Sequence, residues 1–188
     1  NQNGIEDRNG DSLVFHMRCE EDGYHTDVLF AADVAHDVLS EIVDITKKKK
    51  NDGRLHWNIF KLPHHCSYLS LSDTKGTAKT TPVDQMKWLF ETQGESGGYV
   101  VSSSKPIPSQ GSTEDDDAQP PHRQAANYYK QDVVNENHLL VTMEQPNKTN
   151  PKPIVLEIDK RGASLRAFGA PAAAMLTGGA APRAGDGY

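Results

Sequence analysis

The spacing of apolar positions along the chain changes several times, and each change marks an element. Residues 12–18 and 27–31 are short runs rich in Val, Leu and Phe. Between them, Glu20-Glu21-Asp22-Gly23 supplies turn chemistry, so the pair predicts a β-hairpin. From Val34 the interval lengthens. Val34, Val38, Ile42 and Ile45 recur at helical spacing up to the lysine run 47–50. Beside the Asn51-Asp52-Gly53 turn, that run reads as a solvated helix end, where cations complement the negative end of the helix dipole.

A second unit repeats the plan. Residues 56–62 predict a strand, a loop passes Ser72 and Asp73, and Thr81-Pro82 begins a helix that continues through Val83, Met86, Lys87, Leu89 and Phe90. In that reading Thr caps the helix and Pro takes its first turn. Gly97-Gly98 precedes a third strand, Tyr99-Val100-Val101. A long polar stretch, 102–119, follows, with the solvated acidic loop 114–117 inside it. Pro120-Pro121 opens a helix to Lys130. Strands are then expected over 138–145 and 153–159, separated by a Pro- and Asn-rich turn, with a last short one over 163–168. Strand–helix alternation of this kind predicts an α/β fold, in which functional groups collect in loops beyond strand ends.

Composition narrows the class further. The chain has 188 residues, enough for one domain, and its 36% hydrophobic content supplies a core. One unit is therefore expected over residues 1–168. Residues 169–188 are dominated by Ala, Gly and Pro and are expected to form a flexible tail or linker. The two cysteines, Cys19 and Cys66, are too few for a disulfide scaffold and point to a reducing, cytoplasmic setting. No apolar run approaches the ~20 residues needed to cross a bilayer, so no membrane partner is expected. A net charge of −6 excludes coating of nucleic acid by overall electrostatics and restricts any such contact to a local patch.

The candidate chemistry lies just past the strands. Asp33 ends the apolar run Val28-Leu29-Phe30-Ala31-Ala32, where a rigid backbone suits a metal ligand; taken alone, it reads first as the cap of the helix starting at Val34. His64-His65 stands in Leu62-Pro63-His64-His65-Cys66-Ser67, at the matching position after the second strand. One imidazole there can bind a metal while its neighbour orients substrate, or both can be polar loop residues. His122, at the start of the third helix, is a further candidate for substrate contact or an exposed first-turn histidine. Cys66 beside the histidines allows a thiolate reading, although adjacent residues rarely have the geometry for it. Ser67 can position substrate or make loop hydrogen bonds. His16, His25, His36, His56 and His138 are read as structural or exposed.

Taken together, Asn9-Gly10-Asp11-Ser12-Leu13-Val14, then Leu29-Phe30-Ala31-Ala32-Asp33, then Lys61-Leu62-Pro63-His64-His65-Cys66-Ser67 resemble the later motifs of the metallo-β-lactamase superfamily. The variant they are most similar to is the hydrolase domain of ComEC-type DNA-uptake proteins. The resemblance implies the C-terminal half of an αββα sandwich, a mixed sheet with helices on one side. It implies a metal-dependent hydrolase, a phosphodiesterase or nuclease, using one or two divalent ions, zinc or manganese. Asp33 then matches the bridging carboxylate, His65 rather than His64 the later metal-site histidine, and His122 the histidine of the following loop. Such ions activate water and stabilise charge on a phosphate or carbonyl.

The chain departs from the pattern at Ala32 and Cys66, where glycines are usual, and at Pro121-His122, where the usual order is reversed. The family's H-x-H-x-D-H ligand motif is absent from the chain. An N-terminal half of the same fold, from a separate chain or a processed segment, is therefore an expected partner, and nucleic acid a possible one. A non-catalytic binding or assembly module built on the same fold is the alternative reading.

Overall fold

A computed structural model describes residues 12–168. The Asn9-Gly10-Asp11 portion of the first motif and residues 169–188 lie outside the described residues. The chain opens with strands β1 (Val14–Glu21) and β2 (Tyr24–Ala31), paired antiparallel. Both are longer than the apolar runs foretell. Asp22 and Gly23 alone make the turn, at φ 51° and 80°, which lets Glu20, Glu21 and Tyr24 join the ladder.

Helix α1 (His36–Lys48) returns the chain to β3 (Trp57–Lys61), parallel to β2. Helix α2 (Asp84–Lys87), extended by a π-helical turn Trp88–Thr92, leads to β4 (Gly94–Ser102). Helix α3 (Arg123–Tyr128), extended by the π-helical turn Tyr129–Val133, leads to β5 (Leu139–Val141). The result is a mixed five-stranded sheet in the order β1-β2-β3-β4-β5, with all neighbours from β2 onward parallel. This is the predicted α/β class. A separate antiparallel hairpin, β6 (Leu156–Asp159) with β7 (Gly162–Leu165), closes the described chain.

Register divides the sheet into two faces. Leu29, Ala31, Phe60, Val100 and Val141 share one core with Leu39 and Val43 of α1, Met86 of α2, Leu89 and Phe90 of the turn after it, and Ala125 and Tyr128 of α3. The helices thus cover that face. On the other, Phe15 pairs with Phe30 and Val28 with Ile59, the two phenyl rings stacking at 4.6 Å. This second face is covered only in part. The β6–β7 hairpin lies over it and leaves an apolar cavity of about 310 Å³ between Val28, Phe30, Ile59 and Val101 on the sheet and Ile154 and Leu156 opposite.

Trp57 organises the centre of the helical side. Its ring meets Phe60 edge-on at 5.5 Å and Phe90 at 6.5 Å, and its Nε1 donates to the Leu89 carbonyl at 3.0 Å. Two glycines of β4 make room for it. A Cβ on Gly94 would stand 2.5 Å from the Trp57 ring, and one on Gly98 would stand 3.2 Å from it and 2.8 Å from the Asn58 carbonyl. The Gly-Gly pair therefore belongs to the strand and not to a break before it.

Three further expectations are corrected. Thr81-Pro82 does not start α2: the helix begins at Asp84 with Val83 in the capping position. His122 occupies the capping position of α3 instead of its first turn, and it is buried. The acidic run 114–117 is not simply solvated. Asp115 is buried, accepts from Arg123 Nε at 2.8 Å and from the Gly111 amide at 3.0 Å, and pins the long polar stretch against α3. Among the described residues no helix is long and apolar enough to cross a membrane.

Candidate metal centre at the strand ends

Asp33 follows β2, two residues beyond its end, and does not cap α1. The capping position is Ala35, where no side chain bonds to the helix amides. The apolar spacing that suggested a helix from Val34 arises because Val34 is fully buried as a core residue ahead of the first turn. The Asp33 carboxylate is left free to face the neighbouring strand end, where its Oδ1 stands 3.5 Å from His65 Nε2.

The histidine loop is held by backbone bonds to its neighbours on both sides. The His64 amide donates to the Ala32 carbonyl at 3.1 Å, next to Asp33, and the His122 amide donates to the Cys66 carbonyl at 3.1 Å. To make this turn, His64, His65 and Cys66 take left-handed backbone conformations at φ 47°, 53° and 66°. Non-glycine residues adopt this region at a cost of order 1–3 kcal/mol each, which the surrounding packing must offset. At Cys66 the offset is visible, since its side chain is fully buried in the core that also holds Tyr129.

The ring of His65 is oriented by a group that sequence cannot reveal. Its Nδ1 lies 2.6 Å from the backbone carbonyl of Ser103, just past β4. A carbonyl can only accept, so Nδ1 carries the proton, and in the neutral ring Nε2 presents a bare lone pair. That lone pair faces the Asp33 carboxylate oxygen. A proton on Nε2, or a metal ion bound to both, would turn this approach of two acceptors into an attraction. Nitrogen and oxygen ligands at 2.0–2.1 Å from a tetrahedral zinc ion stand about 3.4 Å apart, so the 3.5 Å spacing fits a shared ion. The Ser103 carbonyl supplies the outer bond that metal-binding histidines commonly make.

Two donors do not complete a centre. Among the described residues no group of three or more His, Cys, Asp or Glu side chains is placed to hold a metal. Asp33 and His65 could supply two ligands and no more. Both side chains are open to incoming groups, being 43% and 47% exposed. A cleft of about 590 Å³ extends from His65 along Ser103, Ser104, Lys105, Gln119 and Thr142. Lys105 is its cation.

The other sequence candidates stand behind this front. His122 is buried; its Nδ1 accepts from the Tyr68 amide at 3.4 Å, its ring lies edge-on to Tyr68 at 4.9 Å, and its Nε2 has no partner among the described residues. His64 Nδ1 is likewise buried without one. Ser67 is buried and its hydroxyl accepts from the Leu69 amide at 3.2 Å, capping the next 3₁₀ turn. His64, His122 and Ser67 therefore lie with the loop that carries His65, and Ser67 and His122 brace it.

Cys66 is not a nucleophile in this arrangement. Burial pushes its thiol up to about 12, so the thiolate is scarcely populated at neutral pH. A thiol reagent is expected to label the native chain at the partly exposed Cys19 alone and to reach Cys66 only after unfolding. Rapid native labelling of both would contradict the packing.

Burial, reinforced by the charge of Lys75, holds the His122 imidazole below its usual value near 6.5. The folded state then takes up a proton at lower pH than the unfolded chain, so His122 contributes its full stability above about pH 6.5 and loses it progressively below. Replacing His122 with Asn, which keeps an acceptor for the Tyr68 amide, is expected to flatten the fall in stability between pH 6.5 and 5. The difference in slope should reach at most about 1.4 kcal/mol per pH unit. Denaturant titrations at several pH values read it directly, and parallel curves for the two proteins would contradict it.

Sequence reasoning passed over a second polar cluster in the middle of β2. The Asp27 side chain is fully buried and accepts from Arg18 Nε and Nη2 at 2.7 and 2.9 Å, with His56 Nδ1 at 3.3 Å and His16 Nε2 at 3.3 Å. Burial pushes its carboxyl upward, but Arg18 and His56 outweigh that and hold it below the usual range. An Asp within a strand, with Arg and His at alternate positions of the paired strand, was the available signal. Of the remaining histidines, His36 reaches Asp73 at 3.1 Å, His138 stacks on Tyr99 at 4.4 Å, and His25 is exposed. Comparison of the chain with protein-family models, curated proteins and solved structures finds no match.

Proposed function

We propose that this chain is the C-terminal half of a metal-dependent hydrolase with a metallo-β-lactamase-type αββα sandwich, acting on phosphodiesters, and that an N-terminal half supplies the remaining ligands. The observation that carries the reading is the Asp33–His65 pair: a carboxylate and a bare imidazole nitrogen, delivered by adjacent parallel strands and 3.5 Å apart. The partly covered sheet face supports it too, since a sandwich needs a second sheet there.

In this reading Asp33 and His65 would hold an ion, zinc or manganese, that would supply an activated water and stabilise charge on the substrate. The Ser103 carbonyl keeps the His65 ring in the ligating tautomer. Lys105 in the adjoining cleft offers its ammonium to a non-bridging phosphate oxygen. Ser67 and His122 brace the loop through the Leu69 and Tyr68 amides.

The test is to prepare the chain together with its N-terminal half, measure bound zinc and manganese, and assay hydrolysis of bis(p-nitrophenyl) phosphate and a short oligonucleotide. Stoichiometric metal and turnover abolished by chelation are expected. A completed protein that binds no metal, or whose turnover survives chelation, would overturn the proposal in favour of a binding or assembly module.

A further inference from the structure

At the end of the sheet opposite Asp33, a cleft of about 500 Å³ is lined by His16 and Arg18 of β1 and by Lys50, Asn51, Gly53 and Arg54 from the segment joining α1 to β3. None of these lining residues is acidic, in a chain whose net charge is −6. Two arms of the fold far apart in sequence have been brought together to make it.

The charges are not equivalent. Arg18 is bound through Nε and Nη2 to the buried Asp27, so that pair adds little net charge; its Nη1 makes no hydrogen bond among the described residues. Lys50 and Arg54 are exposed, and among the described residues neither is paired with a carboxylate. Asp52, between them in sequence, is exposed as well. Both cations are mounted on fixed backbone. The Lys50 amide donates to the Lys47 carbonyl at 3.0 Å and the Asn51 amide to that of Thr46 at 3.1 Å, while the Arg54 amide closes onto Asn51 at 2.8 Å. Leu55, the next residue, is anchored in the core. This is a concave, ordered cationic wall, unlike the open helix end that the lysine run suggests in sequence.

We propose that this cleft binds phosphate groups, carried by a polyphosphate compound or by the backbone of a nucleic-acid strand. Phosphate oxygens are the acceptors that a Lys ammonium and an Arg fork satisfy together, and a local excess of cations is what an acidic protein requires to hold them. The site uses no part of the Asp33–His65 pair. From Asp27 to Asp33 the extended chain covers roughly 20 Å, so the two lie well apart.

The experiment is isothermal titration of the full chain, in metal-free buffer, with inorganic tripolyphosphate and separately with a short single-stranded oligonucleotide. Lys50→Asn with Arg54→Gln removes both unpaired charges at exposed positions, and Asn suits the positive φ of 55° at residue 50. Lys152→Gln with Lys160→Gln makes the same change in net charge at exposed positions elsewhere. The first double variant is expected to weaken tripolyphosphate binding at least tenfold and the control to leave it unchanged. If the oligonucleotide binds too, its salt dependence should fall by about 0.7 in log–log slope for each charge removed. Tripolyphosphate binding alone identifies a small phosphate compound as the ligand, and binding of both identifies a strand. Absence of binding, or equal loss in both double variants, overturns the proposal. Because no metal and no N-terminal half enter the measurement, its outcome is separate from that of the hydrolase reading.

Discussion

In the completed protein, Asp33→Ala and His65→Ala are each expected to lower metal affinity at least a hundredfold while leaving the folding stability of the chain nearly unchanged. The two expectations follow from the same geometry. Loss of an outer-shell partner of a metal ligand typically costs ten- to a hundredfold in affinity, and loss of the ligand itself costs at least as much. Both side chains are close to half exposed, and neither caps a helix or fills the core, so truncating Asp33 should change stability by no more than about 0.5 kcal/mol and truncating His65, which also loses its bond to the Ser103 carbonyl, by about 1 kcal/mol.

Asp33→Asn refines the experiment by keeping shape and removing charge; it should bind metal less tightly than the wild type but better than Asp33→Ala. Equilibrium metal competition and denaturant unfolding on the same samples provide both readouts. A variant that unfolds readily while retaining metal would mean that the pair is a structural ion pair, with the proton and not a metal filling the gap between His65 and Asp33.

Trp57→Ala is expected to be the most destabilising single truncation in the described fold. The side chain is fully buried, and removing an aromatic of this size typically costs about 3–5 kcal/mol in lost transfer energy and cavity formation. The Leu89 carbonyl loses its indole donor as well. Against a usual total of about 5–15 kcal/mol, that loss leaves much of the population unfolded under mild denaturant. Gly94 sharpens the test. Gly94→Ala alone should destabilise, because its Cβ would stand within 3 Å of the Trp57 ring and of the Phe90 carbonyl. In the Trp57→Ala background that cost should shrink, since part of the obstruction is gone. Chemical denaturation of the four proteins of this cycle measures the coupling, and strictly additive losses would show that the two positions do not share the contact.

Much of the architecture was legible because it depends on local spacing. The hairpin, the two strand–helix units and the strand containing Tyr99-Val100-Val101 all appear in the expected order, although that strand begins at Gly94 and takes in the Gly-Gly pair. The misreadings have local causes. Glu20 and Glu21 look like turn residues because charge is common in turns, yet on an edge strand they remain solvated while Asp22-Gly23 makes the bend. Val34 extended the apparent helical period because burial, not helicity, placed an apolar residue there. The acidic run 114–117 looks solvated until Arg123 is seen to fold over Asp115.

The candidate centre was half legible. A polar residue just beyond an apolar strand is visible in Asp33 and in His64-His65, but that the helix cap falls to Ala35 and not to Asp33 was not. Nor was the role of Ser103, because a backbone carbonyl has no signature in composition. The Lys50–Arg54 cleft was hidden in the same way, since two of its six lining residues, His16 and Arg18, belong to β1.

By itself the sequence determined the alternation of strands and helices, the apolar sets available for a core, and the presence of a carboxylate and an imidazole at strand ends. The period of burial is set by neighbours a few residues apart, and it survives without knowledge of the fold. Only the tertiary structure decided which polar atoms meet: His65 with Asp33 and Ser103, and Asp27 with Arg18 and His56. Those distances depend on strand order and register, which join residues far apart in the chain and fix them to within an ångström. Coordination and charge recognition operate on that same length scale.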